Sequence, residues 1–265
     1  MAEIKIRSLS KHFKKASGFS VHALQDVNMT VREGSFVAIV GRSGCGKTTL
    51  MDIICGIQRP SEGEVLFDDQ PLDSATAQIG YVTQRDTLLP WRNARKNIAL
   101  PLEVQHMSRA AREQKVDELL ELTNLENFGS HYPAELSGGM RQRIALARSL
   151  AYEPATLLMD EPFGALDAIT RLELQTEFLK IWDSRQLTAV FVTHDLGEAV
   201  ALADEVIVMS PNPGRISERI TIDIPRPRDL RTIQAEPSYG EHFRQTAEAL
   251  SIAVHEPAVG LAEPA

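Results

Sequence analysis

Apolar and polar positions follow two different spacings along the chain, and the change of spacing divides it into regions. Short apolar or alternating runs predict β-strands over Ile4–Leu9, Val27–Val31, Ser35–Val40, Glu64–Phe67, Ile79–Thr83, Thr156–Met159, Thr188–Thr193 and Glu205–Met209. From about Arg92 to Leu150 the apolar residues instead recur at helical spacing. Further helices are predicted over Thr48–Ile57, Ala168–Arg185 and Asp195–Leu202. This alternation predicts right-handed crossovers onto a mainly parallel sheet, interrupted by a helical insert of ~60 to 70 residues.

Two segments show no clear periodicity of apolar residues. Lys11–Ser20 is basic and rich in turn-forming residues, which predicts an exposed loop. The last 41 residues, Pro225–Ala265, hold five of the 14 prolines. Their weak periodicity predicts a partly ordered tail, with one short helix around Glu241–Ala253.

The amino-acid composition makes some classes of protein function less favoured for this chain. The chain has 265 residues, with 28 Lys and Arg against 36 Asp and Glu, so its net charge is −8. A net acidic chain is a poor candidate for a protein that coats nucleic acid without sequence preference. Cys45 and Cys55 do not make a disulfide framework, which favours a reducing cytoplasm. No apolar run approaches the ~20 residues that a membrane span needs.

The segment Gly41–Thr48, GRSGCGKT, fits the phosphate-loop pattern G-x-x-x-x-G-K-[ST] in full. It follows an apolar strand and precedes a helical pattern, so its backbone N–H groups can converge on phosphate oxygens. Lys47 would reach the β- and γ-phosphates, the Thr48 hydroxyl would ligate Mg²⁺, and Thr49 would contact the α-phosphate. Cys45 lies inside the loop, so a bulky thiol reagent is expected to inhibit, and ATP to protect. The alternative is a glycine-rich turn that carries Lys-Thr by coincidence.

Two acids, Asp160 and Glu161, end the apolar run Thr156–Met159. Asp160 stands where a carboxylate can reach Mg²⁺ directly or through water. Glu161 can poise a water molecule for in-line attack on the γ-phosphorus. Such a pair on its own is also typical of solvated loop acids, and it is the phosphate loop that favours the catalytic interpretation.

A second anion site is predicted at Leu136–Arg143, LSGGMRQR. Ser137 can cap the helix that follows, and Gly138 and Gly139 would expose backbone N–H groups at its N-terminus. One chain does not need two phosphate cradles for one nucleotide. The economical interpretation is that this second site serves a nucleotide held on a partner subunit.

Taken in this order, these segments resemble the ATP-binding subunit of ABC transporters, over about Ile4 to Ile224. Gly41–Thr48 looks like Walker A, Thr156–Asp160 like Walker B, and Leu136–Met140 like the signature motif, although Met140 stands where the family often has Gln. The resemblance implies an α/β P-loop NTPase (RecA-like) core with a mainly parallel sheet, an N-terminal antiparallel β subdomain and an inserted α-helical subdomain. It places the ATP-binding core in residues 1–90 and 154–224, the helical subdomain in 91–153 and a tail in 225–265.

The resemblance also assigns residues. Glu161 matches the catalytic glutamate, His194 the switch histidine that senses the γ-phosphate, and Gln84 the glutamine of the Q-loop, which otherwise is a polar loop residue. Ala165-Leu166-Asp167 matches the D-loop. Phe13 occupies the place of the adenine-stacking aromatic, the alternative being a core aromatic. The implied catalytic residues are Glu161, His194 and Lys47; the implied nucleotide-binding residues are Phe13, Gly41, Arg42, Ser43, Gly44, Cys45, Gly46, Lys47, Thr48, Thr49, Gln84, Ser137, Gly138 and Gly139; the implied Mg²⁺ ligands are Thr48, Gln84 and Asp160.

The family implies ATP and Mg²⁺ as cofactors, ATP hydrolysis to ADP and phosphate, and a head-to-tail dimer, with two identical copies as the simpler arrangement. Transmembrane permease subunits would be direct partners, a periplasmic or extracellular solute-binding protein an indirect one, and nucleic acid is not expected. The chain would then lie at the cytoplasmic face of the cell (inner) membrane as a peripheral protein.

A finer resemblance rests on Leu88–Asn93 and Ile224–Leu230, which look like the nitrate/sulfonate/taurine importer group. Trp91 would dock a permease there, the alternative being an ordinary surface aromatic. Two other classes stay open: a soluble ABC-type ATPase not coupled to transport, and a different P-loop enzyme such as a small-molecule kinase. The kinase leaves the signature motif and His194 unexplained, and the insert lacks the sustained heptads of repair ATPases.

Overall fold

The computed structural model describes residues 3–14, 20–72, 79–164, 166–185 and 187–255. The chain divides into two compact units, Met1–Thr76 with Thr188–Ala265, and Ala77–Leu187. The strands are β1 (Ile4–Lys14), β2 (Ser20–Val31), β3 (Phe36–Gly41), β4 (Glu62–Phe67), β5 (Gln70–Pro71), β6 (Ile79–Val82), β7 (Thr156–Asp160), β8 (Thr188–Thr193), β9 (Glu205–Ser210) and β10 (Arg215–Thr221). The helices are α1 (Lys47–Ile54), α2 (Ala94–Val104), α3 (Arg109–Leu122), α4 (Gly138–Leu150), α5 (Ala168–Arg185), α6 (Leu196–Leu202) and α7 (Pro237–His255).

The first unit is built on β3, whose six residues are all buried. It pairs in parallel with β8 on one side and with β9 on the other, and β10 continues the order as an antiparallel neighbour of β9. Buried on both faces, these parallel strands are continuous apolar runs, which is why the sequence predicts them. β3 leads directly into the loop that precedes α1.

An antiparallel sheet in the order β2-β1-β4-β5 completes the strands of this unit. β1 and β2 form a hairpin whose register shifts after Ile6, after Leu9 and after Lys11. The prediction of an exposed loop over Lys11–Ser20 is wrong at Lys11–Lys14 and at Ser20, because these residues belong to the paired strands β1 and β2. The positions 15–19 lie outside the described residues.

The second unit contains the parallel pair β6 and β7 together with α2 to α5. Helices α2, α3 and α4 begin at caps that the sequence supplies, since side-chain oxygens of Asn93, Ser108 and Ser137 accept hydrogen bonds from backbone N–H groups in the first turn. Helical structure in place of strands between Arg92 and Leu150 is therefore confirmed. The subdomain boundaries remain a prediction.

The C-terminal region is more ordered than the sequence predicts. In place of one short helix around Glu241–Ala253, α7 runs for 19 residues and packs on α6, β9 and β10. Its buried face is made of Tyr239, Thr246, Ala249 and Ala253. Small and hydroxyl-bearing residues give a weak hydrophobic signal, which is why the periodicity underestimates this helix. Positions 256–265 of the predicted tail lie outside the described residues.

Candidate functional site

The loop between β3 and α1 depends on three glycines in two different ways. Gly44 and Gly46 have φ angles of 82° and 101°, a region that side chains with a Cβ disfavour. No atom lies within 4 Å of the place a Cβ would take at Gly44. At Gly41, by contrast, a Cβ would lie 2.6 Å from Cys45 Sγ and 2.9 Å from Met209 O. Gly44 is thus open to an approaching ligand, whereas Gly41 allows close packing behind the loop.

Lys47 is folded into this loop. Its side chain is buried, and Nζ donates hydrogen bonds to Gly41 O at 2.7 Å and Arg42 O at 3.2 Å. The ammonium group is therefore held at the mouth of the loop by two backbone carbonyls. Arg42, Ser43 and Thr48 are exposed, and Thr49 is half-buried.

Helix α1 begins without a side-chain cap, because its N-cap residue is Gly46. The first N–H groups of a helix have no intrahelical acceptor, and with the helix dipole they form an anion site. The geometry of the loop, the buried ammonium and the uncapped helix together fit a nucleotide phosphate chain.

The Cys45 thiol lies within the loop, with its Sγ 4.0 Å from Lys47 Nζ. Its side chain is fully buried, and burial raises the pKa of the thiol, an effect that the nearby Lys47 ammonium opposes. A raised pKa leaves less thiolate, the reactive form, at neutral pH. Cys45 therefore contributes its backbone to the loop, and its thiol is shielded from reagents.

His194 lies on the turn between β8 and α6, also in the first unit. Its side chain is exposed, while the residues around it are fixed. Thr193 Oγ1 donates to Glu198 Oε2 at 2.7 Å and accepts from Asp195 N at 3.0 Å. Asp195 then caps α6 by accepting from Glu198 N at 3.2 Å. The imidazole is thus presented from a tightly bonded strand–helix turn.

Phe13 lies on β1, opposite Val21 of β2. Its side chain is 39% exposed, so the alternative of a core-packing aromatic does not hold. Lys11 Nζ lies 5.0 Å from the centre of the ring, a cation–π distance. The exposed ring has the character that stacking on a base requires.

The second unit holds the predicted acids. Asp160 is buried at the carboxyl end of β7, and Glu161 follows it with a φ of 46°. Gln84, two residues beyond β6, donates from Nε2 to Glu161 Oε2 at 3.1 Å. The structure therefore brings Gln84 and Glu161 together, a pairing that the sequence interpretation did not include. The amide oxygen is the group of Gln84 that suits a metal, and its nitrogen serves the glutamate.

The N-terminus of α4 carries the signature motif, and its two glycines differ. Ser137 Oγ accepts from Met140 N at 3.2 Å, which caps the helix as predicted. A Cβ at Gly138 would meet nothing closer than 3.9 Å, whereas one at Gly139 would lie 2.6 Å from Thr170 Cγ2 of α5. Gly138 is therefore the open position of the pair, and Gly139 is required for packing against α5.

Two arginines of α4 join this helix to the segment after Gln84, and the sequence interpretation gave them no role. Arg141 Nε donates to Asp86 Oδ2 at 2.8 Å, and Arg148 Nη2 donates to Thr87 Oγ1 at 2.9 Å. Arg141 also donates to Leu136 O at 2.6 Å. The two arginines are seven residues apart, so they lie two turns apart on one face of the helix. This spacing is the sequence signal from which their shared role could have been predicted.

The other positions singled out in the sequence are Asp167 and Ala165 of the predicted D-loop, and Trp91. Asp167 caps the start of α5, and hydrogen bonds to its carboxylate, first of all from Thr170, lower its pKa. Ala165 of the predicted D-loop lies outside the described residues. Trp91 is 71% exposed.

Among the residues that the structure describes, no helix combines the length and apolar character that crossing a membrane requires.

Each compact unit offers oxygen donors of the kind that Mg²⁺ binds when it is held together with ATP. Within the described part of the chain, no group of three or more His, Cys, Asp or Glu side chains could hold a metal alone. Mg²⁺ usually keeps several waters and binds one or two carboxylates plus substrate phosphates. The Thr48 hydroxyl in the first unit, and the buried Asp160 carboxylate and the Gln84 amide oxygen in the second, are each of a ligand type that Mg²⁺ takes.

Comparison with known proteins identifies the family of the chain. The family model described as ABC transporter matches residues 24–164. The chain is 42% identical over 242 residues to the taurine import ATP-binding protein of Rhizobium johnstonii, covering 90% of this chain and 92% of the relative. It is 43% identical over 222 residues to the nitrate import ATP-binding protein of Synechococcus elongatus, covering 83% and 81%.

A solved structure is also similar, that of a dimeric ATP-binding cassette in a post-hydrolysis state bound to ADP and phosphate. Its TM-score is 0.75 at 33% sequence identity, covering 83% of this chain and 99% of that one. The α/β P-loop fold predicted from the sequence is thereby confirmed. With a family model matching more than half of its length and relatives above 40% identity across most of it, this chain belongs to the ABC transporter family.

Proposed function

We propose that this chain is the ATP-hydrolysing subunit that powers a membrane importer of a small solute such as nitrate, a sulfonate or taurine. The observation that carries the proposal is the pairing of two differently built anion sites on one chain. One is the glycine loop with Lys47 before α1, and the other is the open N-terminus of α4 at Gly138. The names of the taurine and nitrate relatives support the solute class.

Binding of the nucleotide is assigned to residues of the first unit, and the Mg²⁺ ligands are assigned to residues of both units. The backbone N–H groups of Arg42 to Thr49 and the Lys47 ammonium would surround the phosphates, and Phe13 would stack on the adenine. Thr48, Asp160 and Gln84 would hold Mg²⁺, which when bound neutralises developing negative charge on the phosphates. Charge-assisted hydrogen bonds of this kind are about twice as strong as neutral ones.

Catalysis is assigned to Glu161, His194 and Lys47, with Gln84 as a positioning residue. The Glu161 carboxylate would accept a proton from the attacking water, with Gln84 Nε2 fixing the orientation of the carboxylate through their hydrogen bond. His194, presented from its bonded turn, would contact the γ-phosphate and orient the same water. A positioned general base contributes typically 10²–10⁴-fold to a rate.

The signature site is assigned to a second copy of the chain. An anion site at Ser137 and Gly138 is not needed for the nucleotide that the same chain binds at Lys47. A head-to-tail pair would use both kinds of site twice, and the dimeric cassette structure supports such a pair. Closing and opening of the pair would then be coupled to ATP binding and hydrolysis.

Coupling to a permease is assigned to the segment around Trp91. An indole that is 71% exposed offers an apolar contact to a partner. The working protein would be peripheral, at the cytoplasmic face of the membrane, with the solute recognised by other subunits and by a solute-binding protein outside the membrane.

The test is a tagged co-purification from detergent-solubilised membranes of the native host, analysed by mass spectrometry. The expected result is a polytopic permease in near-equal amount, lost from Trp91→Ala but retained by Tyr132→Ala, a second exposed aromatic of the same unit. Wild-type protein without a membrane partner, or with ribosomal or DNA-repair proteins, would contradict transport and favour a soluble ABC-type ATPase.

A further inference from the structure

The segment that follows β10 holds α6 at both of its ends. It comprises residues 222–255, and we call it the C-terminal segment. It includes Ile224–Leu230, the stretch that resembles an importer subgroup, and all of α7. Its contacts with α6 and with β3 lie within the first compact unit.

Two arginines of the C-terminal segment occupy the carboxyl end of α6. Arg228, with a side chain only 1% exposed, donates from Nη1 to Ala203 O at 2.8 Å and Ala201 O at 3.2 Å, and more weakly to Val200 O at 3.4 Å. Arg226 Nη2 donates to Leu202 O at 2.7 Å. The last carbonyls of a helix have no intrahelical donor, and positive charge there is favourable to the helix dipole. The two guanidinium groups therefore act as the C-terminal cap of α6.

Arg226 also connects this end of α6 to the strand that carries the phosphate loop. Arg226 Nε donates to Asp204 Oδ1 at 2.8 Å, and Asp204 Oδ2 accepts from Phe36 N at 2.9 Å. Phe36 is the first residue of β3, which ends at Gly41. The carboxylate thus ties the capped end of α6 to the start of the central strand.

Tyr239 of α7 lies at the other end of α6. Its hydroxyl oxygen is 3.0 Å from the position that a Cβ would take at Gly197 in the first turn. The side chain is 9% exposed. Burial raises the pKa of the phenol, and the negative charge of Asp195 raises it further. Tyr239 therefore packs against the turn that begins at His194.

Helix α6 has seven residues, and a helix below about 12–15 residues is marginal unless tertiary contacts hold it. We propose that the C-terminal segment is a positioning element for His194, with Arg228 and Tyr239 fixing α6 and therefore the turn that presents the imidazole. This inference rests on the catalytic role proposed above for His194. It gives the Pro-Arg-Pro-Arg stretch and α7 a part in ATP hydrolysis without contact with the nucleotide.

The main test compares steady-state ATP hydrolysis of the full-length protein with that of Arg228→Ala. We expect kcat to fall at least fivefold while KM for ATP changes less than twofold, because the phosphate loop is not altered. Arg231→Ala, an exposed arginine of the same segment, should behave like wild type. An unchanged kcat in Arg228→Ala, or a loss confined to KM, would overturn the inference.

A double-mutant cycle separates positioning from general destabilisation. If Arg228 acts through His194, adding Arg228→Ala to His194→Gln should lower kcat by less than twofold beyond the single His194→Gln change. Losses that multiply instead would refute the positioning role. A near-normal kcat in His194→Gln alone would reject the proposed function of His194 itself, and the two failures are therefore distinguishable.

Tyr239→Phe provides a variant that keeps the ring packing if Arg228→Ala does not fold. The NMR resonance of the His194 imidazole is assigned as the one that is absent from the spectrum of His194→Gln. In Tyr239→Phe we expect this resonance to shift relative to wild type and kcat to fall about twofold. Arg228→Lys should show a shift in the same resonance, since one ammonium cannot replace the fork of donors. His194 resonances identical to wild type in both variants would contradict the proposal.

Discussion

Gln84 Nε2 and Glu161 Oε2 are joined by a hydrogen bond of 3.1 Å between residues 77 positions apart in the chain. Gln84 follows β6 and Glu161 follows β7, its parallel neighbour. The carboxyl ends of parallel strands meet at one edge of a sheet, so the contact follows from the topology. It makes the glutamine a partner of the proposed general base.

Gln84→Glu should move the acidic limb of the pH dependence of kcat to higher pH. The change places two carboxylates side by side, and neighbouring like charges do not ionise together as readily as separate ones. The pair of carboxylates therefore keeps a proton to higher pH than a single carboxylate does, so activity should be recovered only at higher pH than in wild type. Gln84→Ala should lower kcat without that displacement, and Gln105→Glu, at an exposed position, should match wild type. Equal acidic limbs in wild type and Gln84→Glu would exclude the contact during turnover.

Glu161→Gln should bind ATP but hydrolyse it about 10²–10⁴-fold more slowly, because an amide cannot accept the proton of the attacking water. With hydrolysis blocked, the ATP-bound pair should accumulate. Phosphate release and size-exclusion chromatography with ATP measure the two effects. Glu218→Gln, on the exposed part of β10, is the control. A variant that stays monomeric with saturating ATP would count against the head-to-tail pair.

Lys47→Ala should weaken ATP binding at least tenfold and abolish hydrolysis, since the buried ammonium is the charge held at the phosphate loop. It also removes the donor to Gly41 O and Arg42 O, and an unsatisfied buried acceptor costs about 1–3 kcal/mol. A fluorescent ATP analogue measures affinity, and thermal denaturation measures stability. Lys180→Ala, an exposed lysine, should change neither. Near-normal turnover in Lys47→Ala would overturn the assignment.

Much of the core and of the site could be predicted because its signals are local. β3, β7 and β8 are continuous apolar runs, and the phosphate loop and the helix cap at Ser137 are contiguous patterns. β10 was not predicted because most of its side chains are polar and at least partly exposed. Its sequence therefore shows little alternation between apolar and polar residues. What a sequence cannot show is contact between distant positions, such as that of Gly139 with Thr170. The capping of α6 by Arg228 is of the same kind.

Cys45 should react slowly with a thiol reagent at pH 7, and its rate should rise with pH beyond the ordinary thiol pKa of about 8.5. Burial raises its pKa, so the thiolate fraction at neutral pH is small. Cys55 has a pKa raised mainly by burial as well, and the measurement therefore uses Cys55→Ser with mass spectrometry. ATP should slow the reaction further by closing the loop. Rapid modification at pH 7 would show that the loop opens readily and exposes the thiol.

The two glycines of the signature motif should respond oppositely to an added methyl group. Gly139→Ala places a Cβ 2.6 Å from Thr170 Cγ2, and overpacking of this kind costs about 1–3 kcal/mol, measured as a lower free energy of unfolding in urea. At Gly138 the atoms nearest to an added Cβ lie 3.9 Å away, so Gly138→Ala should keep or slightly raise the free energy of unfolding. Its ATP hydrolysis should fall, because the methyl group obstructs the partner's nucleotide.

Thr170→Ser decides whether the cause is steric, since it removes the methyl carbon that Gly139→Ala strikes. The double variant should regain most of the lost stability, whereas Thr170→Ser alone should be close to wild type. If the double variant remains as unstable as Gly139→Ala, the clash with α5 is not the cause. If Gly138→Ala hydrolyses ATP at the wild-type rate, the open position at the start of α4 does not face a nucleotide, and the second anion site loses its main support.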